Sequence, residues 1–409
     1  MNILFLNTTY LCGGAEKVAN QLFNGMKKRG HQVYEIVSYH KRPEKPEEGV
    51  SVLYEGRTGL ALNRLLTGNH SNASLRIPYS RRQILRFIKE HKIDIVHLHN
   101  AHGNFLGIDD IRAISEHCPI VWTLHDFWAF TGHCTYPTGC SDLWKEGCFR
   151  CPQLQNYPPL RKDISGRLLE EKSLAFRTPR ICYAVPSVWM ERQVRQSVLA
   201  DQNICCIPNS LNTALWTACD KQALREDYRL PAGKHILAFV AADPQKKLKG
   251  MDLLLSALAR IPNPEQYLLL IAGREDGLET IEKRGFSIRR FGYITNQKKM
   301  NEFYGLADLL VNPSIYETFG LVNIEAMASG TPVLAFSVCA MEEIITPKSG
   351  WCLPDIDGRL LADQLSLIFQ NPRLLAQKGR AARDRALCVY SEEQMFDSYE
   401  TLYKKAAAG

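Results

Sequence analysis

Short apolar runs alternate with amphipathic stretches along most of the chain. The runs Asn2–Asn7 and Ile93–His99 have the length and the nearly continuous apolar character of strands that are buried on both faces. Residues 13–31 and 81–92 instead place their apolar side chains at helical spacing. Because parallel strands are joined by helical crossovers, this alternation predicts an α/β fold with parallel sheets.

The same alternation continues through the second half of the chain. Polar and proline-bearing residues gather at 209–230 and indicate a domain boundary. We therefore predict a first domain over residues 1–208, a second over residues 209–390 and a C-terminal helix over residues 391–409. Further strands are predicted within 119–128, 181–187, 203–208, 234–243, 267–276, 287–295, 308–314 and 331–336.

Length and composition limit the classes of protein to consider. At 409 residues the chain exceeds one ordinary domain of roughly 150 residues, and it can bury two cores. Hydrophobic residues make up 45% and charged residues 23%, which excludes disordered and fibrous classes. No window approaches the roughly 18 uninterrupted apolar residues of a membrane span, and the N-terminus lacks a signal-peptide pattern. We therefore expect a cytoplasmic protein.

The stretch Ser314–Gly330 carries the clearest candidate chemistry. Its apolar spacing predicts a helix from Leu321, so Glu317 lies in a loop and Glu325 on the helix. Gly320 lets an anion approach the free N–H groups at the positive end of that helix. Carboxylates repel a phosphate but accept hydrogen bonds from vicinal hydroxyls. A sugar and a ribose joined through a diphosphate would use all of these groups, so the stretch predicts a nucleotide-sugar site.

The segment ETFGLVNIE within this stretch resembles the E-x7-E signature of the retaining glycosyltransferases of family 4. The resemblance extends over nearly the whole chain and is strongest from Lys249 to Pro332. It implies the GT-B fold, in which two Rossmann-like domains face an interdomain cleft and the last helix crosses back to the first domain. It also implies transfer of a hexose from a UDP- or GDP-sugar to a hydroxyl of a glycan or lipid-diphosphate acceptor, as in bacterial surface polysaccharide synthesis.

The resemblance also assigns roles to single residues. Lys249 is followed by glycine and matches the lysine–glycine pair of the family, whose lysine neutralises the leaving diphosphate. Asp243 stands where family members carry an arginine, so Lys246 or Lys247 would take its place. Since no Asp-x-Asp follows a predicted strand, we expect no catalytic metal. With Glu317 assigned to catalysis, the residues expected to bind the donor are Gly13, Gly14, Lys246, Ile294, Phe319, Gly320, Leu321 and Glu325.

A histidine at the end of a predicted strand is the candidate on the acceptor side. His125 follows the apolar run that begins at Pro119 and stands next to Asp126. A histidine there can donate a hydrogen bond to a phosphoryl oxygen or a sugar hydroxyl. The family resemblance implies a catalytic histidine at this strand end. His97 and His99 alternate along an earlier strand, where we expect structural or cleft-lining roles.

One cluster among the cysteines differs from the others. Cys134, Cys140, Cys148 and Cys151 lie within a polar, glycine-bearing segment, and the last two form a C-x2-C pair. Four thiolates can form a closed tetrahedral site for a structural zinc ion, with His133 as a substitute ligand. Free thiols are the alternative, because disulfides are disfavoured in a cytoplasmic enzyme.

Six basic residues between Arg76 and Lys92 stand against a single acidic one, Glu90. A solvated helix face explains most runs of this kind. The alternative is peripheral contact with an anionic membrane or binding of a lipid diphosphate. We expect no nucleic-acid partner, because the run contains no binding motif for one.

Two other functions stay open at this point. A nucleotide-sugar epimerase shares the two-sheet architecture and would convert its nucleotide-sugar without an acceptor. A zinc-stabilised glycan-binding protein would have no affinity for nucleotides. The intact E-x7-E pattern favours transfer over epimerisation.

Overall fold

The computed structural model describes residues 1–11, 13–40, 46–54, 78–140, 142–241, 247–273 and 278–408. The chain forms two compact units. The first contains Met1–Pro208 and Glu393–Gly409, and the second contains Asn209–Glu392. Each unit is built on one sheet, and neighbouring strands of the described residues pair in parallel. The predicted α/β fold with two parallel sheets is confirmed.

The first unit has a seven-stranded sheet in the order β3-β2-β1-β4-β5-β6-β7. Its strands are β1 (Asn2–Thr9), β2 (Gln32–Tyr39), β3 (Val50–Val52), β4 (Ile95–Leu98), β5 (Ile120–Thr123), β6 (Ile181–Val185) and β7 (Ile204–Cys206). Its helices up to β7 are α1 (Gly14–Lys28), α2 (Pro78–Glu90), α3 (Ile108–His117), α4 (Leu143–Glu146), α5 (Ser165–Phe176) and α6 (Val188–Val194).

Strand order in this sheet reverses at β1. The strand pairs with β2 on one side and with β4 on the other, and every residue of β4 is buried. Open parallel sheets bind their ligands outside the carboxyl ends of the strands at such a switch point. The segments that follow Thr9 and Leu98 are therefore the expected location of a site in this unit.

The second unit has a six-stranded sheet in the order β10-β9-β8-β11-β12-β13. Its strands are β8 (His235–Ala241), β9 (Tyr267–Gly273), β10 (Ser287–Arg290), β11 (Leu309–Asn312), β12 (Val333–Phe336) and β13 (Gly350–Leu353). Its helices are α7 (Lys221–Asp227), α8 (Met251–Leu258), α9 (Glu279–Glu282), α10 (Gln297–Leu306), α11 (Leu321–Ala328), α12 (Met341–Ile344), α13 (Gly358–Phe369) and α14 (Pro372–Val389).

The second sheet has its own switch point at β8. This strand pairs with β9 on one side and with β11 on the other. The core behind it includes Leu254, Leu269 and Val311, all of which are fully buried. The loops that leave β8 and β11 carry Lys249 and Glu317, so the fold places both residues at the edge where a ligand is expected.

A last helix, α15 (Glu392–Ala408), completes the core of the first unit. Its Phe396, Tyr399 and Tyr403 are buried. A Cβ atom on Gly25 of α1 would lie 2.3 Å from the Phe396 ring, so the two helices approach this closely only at a glycine. Arg29, which follows α1, forms ion pairs with three carboxylates of α15 at 2.5, 2.7 and 3.0 Å.

The basic run lies largely on α2 and finds partners nearby. Arg86 pairs with Glu90 at 2.7 Å, and Arg81 lies 3.8 Å from Asp110. Arg76 is outside the described residues. Within the described ranges no helix is long and apolar enough to cross a membrane. Contact of the run with a membrane stays a prediction.

Candidate active site

Two loops of the second unit meet at the switch point of its sheet. The ammonium group of Lys249, in the loop after β8, donates to a carboxylate oxygen of Glu317, in the loop after β11. The two predicted catalytic residues of the second unit therefore belong to one ion pair. The Lys249 side chain is 32% exposed and that of Glu317 is 15% exposed, so the pair is accessible to a ligand.

Close backbone packing holds Lys249 in place. Gly250 has a φ of +70°, and a Cβ atom there would lie 1.9 Å from the carbonyl oxygen of Pro313. Only glycine fits, which gives the lysine–glycine pair a physical reason. In the same contact, the amide of Ile315 donates to the carbonyl of Leu248 at 2.9 Å. The backbone of the neighbouring loop thus fixes the position from which Lys249 extends.

Helix α11 begins directly after Gly320, as predicted. Gly320 has a φ of +84°, and an added Cβ atom would lie 2.6 Å from the side-chain nitrogen of Asn323 and 3.0 Å from Cγ of Glu317. Asn323 is buried, and Asn312 donates to its side-chain oxygen at 2.8 Å. Glycine therefore lets the chain turn into the helix beside Glu317. The N-terminus of α11 adds a positive partial charge near this residue.

Glu325 lies on the buried face of α11. It is only 6% exposed, and the hydroxyl of Tyr304 donates to its carboxylate at 3.0 Å. Burial and the nearby carboxylate raise the pKa of Tyr304 well above its ordinary value, so the phenol stays a donor. Sequence reasoning missed Tyr304, which lies on α10, 21 residues away, and belongs to no motif. The two glutamates thus differ, because Glu317 pairs with a cation and Glu325 with a neutral donor.

Other predicted donor-binding residues of the second unit have varied placements. Phe319 is buried and packs edge-on against Tyr390, with 5.7 Å between ring centroids, so its side chain anchors the loop. Leu321 is half-buried at the first position of α11. Lys246 and the side chain of Lys247 lie outside the described residues.

The strand predicted to reach Ile294 ends earlier, so that prediction was wrong. β10 stops at Arg290, and Ile294 is half-buried in the loop that follows. Gly292 has a φ of +60°, and its carbonyl accepts from the amide of Gly273 at 2.7 Å. The positive φ turns the backbone out of strand geometry before Ile294 is reached.

In the first unit, His125 lies two residues beyond the end of β5. Its Nε2 atom is 2.9 Å from Nδ1 of His99, and the two rings stack with centroids 5.2 Å apart. Burial lowers the pKa of His125 to about 4 and holds the pKa of His99 well below 6.5. Both imidazoles are neutral at neutral pH, so one ring donates and the other accepts. The His125 side chain is therefore a neutral hydrogen-bonding group at neutral pH.

The two histidines near β4 have different hydrogen-bond partners. His97 is fully buried, with Nδ1 2.6 Å from the Tyr403 hydroxyl and Nε2 2.7 Å from Oγ1 of Thr123, so its role is structural. His99 contacts His125 through Nδ1. Among the described residues its Nε2 atom has no hydrogen-bond partner. His99 thus orients the candidate catalytic histidine.

Sequence reasoning missed a second polar group beside His125. Nε2 of His102 is 2.9 Å from one carboxylate oxygen of Asp126, and the other oxygen accepts from the amide of Trp128 at 2.9 Å. Burial acts to raise the pKa of Asp126, but the charge of His102 and these hydrogen bonds lower it overall. The Tyr157 hydroxyl is 3.3 Å from Nδ1 of His102. The signal that could have found His102 is its position just after β4, beside the switch point.

Helix α1 begins at Gly14, with Gly13 in extended conformation at a φ of −165°. Glu16 in its first turn accepts from the hydroxyl of Thr9 at 2.9 Å, and a Cβ atom on Gly13 would lie 2.8 Å from the Glu16 carboxylate. A carboxylate thus lies beside Gly13 in the first turn of the helix. Donor binding by Gly13 and Gly14 stays a prediction.

The four predicted zinc ligands share one cavity. Cys134, Cys140, Cys148 and Cys151 line it together with His133, and all four cysteines are free thiols. As these side chains stand, no group of three or more His, Cys, Asp or Glu residues in the described part of the chain has a geometry that could hold a metal ion. Zinc binding here stays a prediction.

Two family models match the chain. The model described as Glycosyltransferase Family 4 matches residues 12–215. The model described as Glycosyl transferases group 1 matches residues 220–385. The first match lies almost entirely in the first unit, and the second lies within the second unit.

Curated relatives extend over part or all of the chain. WcaC of Escherichia coli (strain K12), which bears the name of a colanic acid biosynthesis glycosyl transferase, is 25% identical over 99% of this chain and 100% of its own length. The D-inositol 3-phosphate glycosyltransferase of Segniliparus rotundus is 30% identical over 51% of this chain and 48% of its own length.

Solved structures share the fold over the full length. Sucrose-phosphate synthase from Thermosynechococcus elongatus has a TM-score of 0.77 at 21% identity, covering 100% of this chain and 99% of its own. HepE from Anabaena, solved in complex with UDP-glucose, has a TM-score of 0.67 at 16% identity, covering 99% and 100%. Both family matches and the shared two-sheet architecture lead to one conclusion: the chain belongs to the glycosyltransferases of family 4 and has their GT-B fold.

Proposed function

We propose that this glycosyltransferase moves a hexose, with retention of anomeric configuration, from a UDP- or GDP-sugar to a hydroxyl of a glycan or lipid-diphosphate acceptor. The observation that carries the proposal is the Lys249–Glu317 pair at the switch point of the second sheet. The pair offers a cation for a diphosphate and an oxygen acceptor for sugar hydroxyls. The complex of HepE with UDP-glucose supports a nucleotide-sugar donor.

Lys249 is suited to stabilise the leaving group. Bond cleavage places negative charge on the departing diphosphate, and a cation that is already in position stabilises this charge with little reorganisation. The packing of Gly250 on Pro313 supplies that positioning. When the diphosphate pairs with the ammonium group of Lys249, this group no longer pairs with Glu317. The Glu317 carboxylate can then accept hydrogen bonds from hydroxyls of the sugar.

Retention in this proposal proceeds on one face of the sugar, as the family resemblance implies. The acceptor oxygen bonds to the anomeric carbon as the bond from that carbon to the diphosphate oxygen breaks. The leaving phosphate oxygen takes the proton of the acceptor hydroxyl. This course uses no carboxylate nucleophile, in contrast to retaining glycosidases.

The first unit offers groups that suit a hydroxylated acceptor. His125 is neutral, and His102 with Asp126 and Glu16 add hydrogen-bond donors and acceptors near the carboxyl ends of β1, β4 and β5. The similarity to WcaC over the full length of both chains supports an acceptor from polysaccharide synthesis. A lipid-diphosphate acceptor would bring the enzyme to an anionic membrane surface, which would attract the basic residues of α2.

A panel of nucleotide-sugars tests the proposal. Thermal unfolding is first measured with UDP-, GDP- and ADP-sugars, because a bound donor raises Tm by mass action. The stabilising donor is then incubated with and without acceptor glycans, and the anomeric configuration of the product is read by NMR. Acceptor-dependent transfer with retention supports the proposal. Conversion of the nucleotide-sugar into another one without acceptor would identify an epimerase. If no nucleotide-sugar of the panel raises the Tm, the proposed donor binding is rejected.

A further inference from the structure

The cysteine cavity of the first unit plays no part in the proposed transfer. It is lined by Cys134, Cys140, Cys148 and Cys151, of which the first three are buried and the last is half-buried. Among the described residues of the segment that carries them, between β5 and α5, the only regular elements are a 3-10 turn at Trp128–Phe130 and the four-residue helix α4. Little regular backbone hydrogen bonding therefore holds this part of the chain.

Two of the four sulfurs already accept backbone hydrogen bonds. The amide of Gly132 donates to Sγ of Cys148 at 3.1 Å, and the amide of Gln153 donates to Sγ of Cys151 at 3.4 Å. A Cβ atom on Gly132 would lie 2.5 Å from the carbonyl oxygen of Ser165, so this amide is held at a position that only glycine permits. Amide donors of this kind stabilise negative charge on sulfur, and the thiolate is the form that binds metal.

A buried lysine next to the cavity supplies an independent observation. Lys172 is 1% exposed and donates to the carbonyl oxygens of Trp128, Thr131 and Gly132. In the described part of the chain no carboxylate pairs with it, although a buried ammonium group is costly without negative charge nearby. Gly132 links Lys172 to the cavity, because its carbonyl accepts from Lys172 at 3.4 Å and its amide donates to Sγ of Cys148 at 3.1 Å. Negative charge on the sulfurs of this cavity would add a counter-charge close to Lys172.

We propose that Cys134, Cys140, Cys148 and Cys151 bind one structural zinc ion. Four thiolates around Zn²⁺ carry a net charge of about −2, which Lys172 partly balances. Four protons leave the thiols when the ion binds. Since the side chains do not enclose a metal in their present positions, the sulfurs close on the ion as it binds. The ion would then join the two halves of a segment that has little regular structure of its own.

Elemental analysis tests the site on full-length protein purified without a metal-affinity resin. We expect about one zinc per chain in the unmodified protein. The double substitution Cys148→Ser with Cys151→Ser should remove it, and the matched double substitution Cys205→Ser with Cys206→Ser in β7 should retain it. Lys172→Met should lower the affinity for zinc at least tenfold, as measured by competition with a chromogenic chelator, because the thiolates lose their counter-charge.

A second measurement covers variants that fail to fold. Zinc is withdrawn from the unmodified protein by chelation, and unfolding is followed with and without UDP or GDP. We expect a lower Tm after chelation, recovery on addition of zinc, and nucleotide binding that survives. The proposal would be overturned if the purified protein contained no metal, if all four thiols reacted with an alkylating reagent and if chelation left the Tm unchanged. Zinc that persists in the Cys148/Cys151 double variant, or a disulfide between these cysteines, would also overturn it.

Discussion

The Lys249 ammonium is paired with the Glu317 carboxylate, although the two residues lie 68 positions apart in the chain. Each comes from a loop at the switch point of the second sheet, and the packing of Gly250 on Pro313 brings the two loops together. The carboxylate therefore serves as the resting partner of a cation whose proposed task is to meet a diphosphate.

Lys249→Ala should lower kcat by roughly 100-fold or more, because the charge that Lys249 stabilises grows during bond cleavage. The fold should survive, since the backbone of Gly250 rather than the lysine side chain holds the loop. Steady-state kinetics with saturating donor measure the effect. Lys298→Ala, on the exposed side of α10, serves as the matched control and should retain full activity. Near-normal turnover of Lys249→Ala would exclude this lysine from the site.

Glu325→Ala should weaken nucleotide binding by about 1–3 kcal/mol, because a ribose hydroxyl loses its acceptor. Tyr304→Phe removes the donor to Glu325 but keeps the carboxylate, so its effect on affinity should be smaller, about 0.5–1.5 kcal/mol. Calorimetric titration with UDP and GDP compares the two variants. If Glu325→Ala binds both nucleotides as tightly as the unmodified protein does, the Glu325 carboxylate does not bind the ribose. Its role is then to accept the hydrogen bond from Tyr304.

The low pKa of His125 predicts a dependence of stability on pH. The folded value is about 4, whereas an unfolded histidine titrates near about 6.5. Between these values the unfolded chain binds more protons, so the contribution is fully present above about pH 6.5 and is lost as the pH falls toward 4. At pH 5 the loss should reach about 1–2 kcal/mol.

Urea unfolding at pH 7.5 and pH 5 measures this loss in three proteins. His125→Gln should lose less stability on acidification than the unmodified protein. His117→Gln, which replaces an exposed histidine of α3, should behave like the unmodified protein. Equal losses in His125→Gln and the unmodified protein would show that His125 titrates normally in the folded state.

Asp126→Asn should impair use of the acceptor while leaving the donor unaffected. The substitution removes the charge that orients His102, and misplacement of a positioning group can reduce kcat/KM for the acceptor by roughly 10- to 100-fold. Nucleotide affinity should not change, because donor binding is proposed for the second unit. Asp201→Asn, an exposed aspartate of the first unit, is the matched control. A parallel loss of donor affinity in Asp126→Asn would contradict an acceptor role for this pair.

The ends of helices and strands were predictable where neighbouring residues in the sequence determine them. Helix α11 was predictable because Gly320 and Gly330, which bound it, both adopt positive φ, and because apolar spacing marks its buried face. The end of β11 at Asn312 followed from the proline next to it. Ile294 was misplaced because a run of apolar and aromatic residues past Arg290 extends the strand pattern, while Gly292 ends the strand.

Partnerships between distant segments were not predictable. The contact of His102 with Asp126 spans 24 residues and depends on β4 lying beside β5 in the sheet. The contact of Tyr304 with Glu325 depends on α10 lying against α11. The spacing of residues along one chain does not give the order of strands in a sheet or the packing of helices. A motif can therefore identify a functional residue but not the distant side chain that forms a hydrogen bond with it.

Helix α15 gives the order of protein synthesis a physical consequence. A ribosome that has made residues 1–208 has not yet made Phe396, Tyr399 or Tyr403, which fill the core of that unit. The surface of α1 at Gly25, which α15 later covers, stays uncovered while residues 209–392 are translated. The second unit consists of one continuous chain segment, so its core needs no residue that is made later. The nascent first unit therefore leaves the apolar surface that α15 covers exposed until translation has reached this helix.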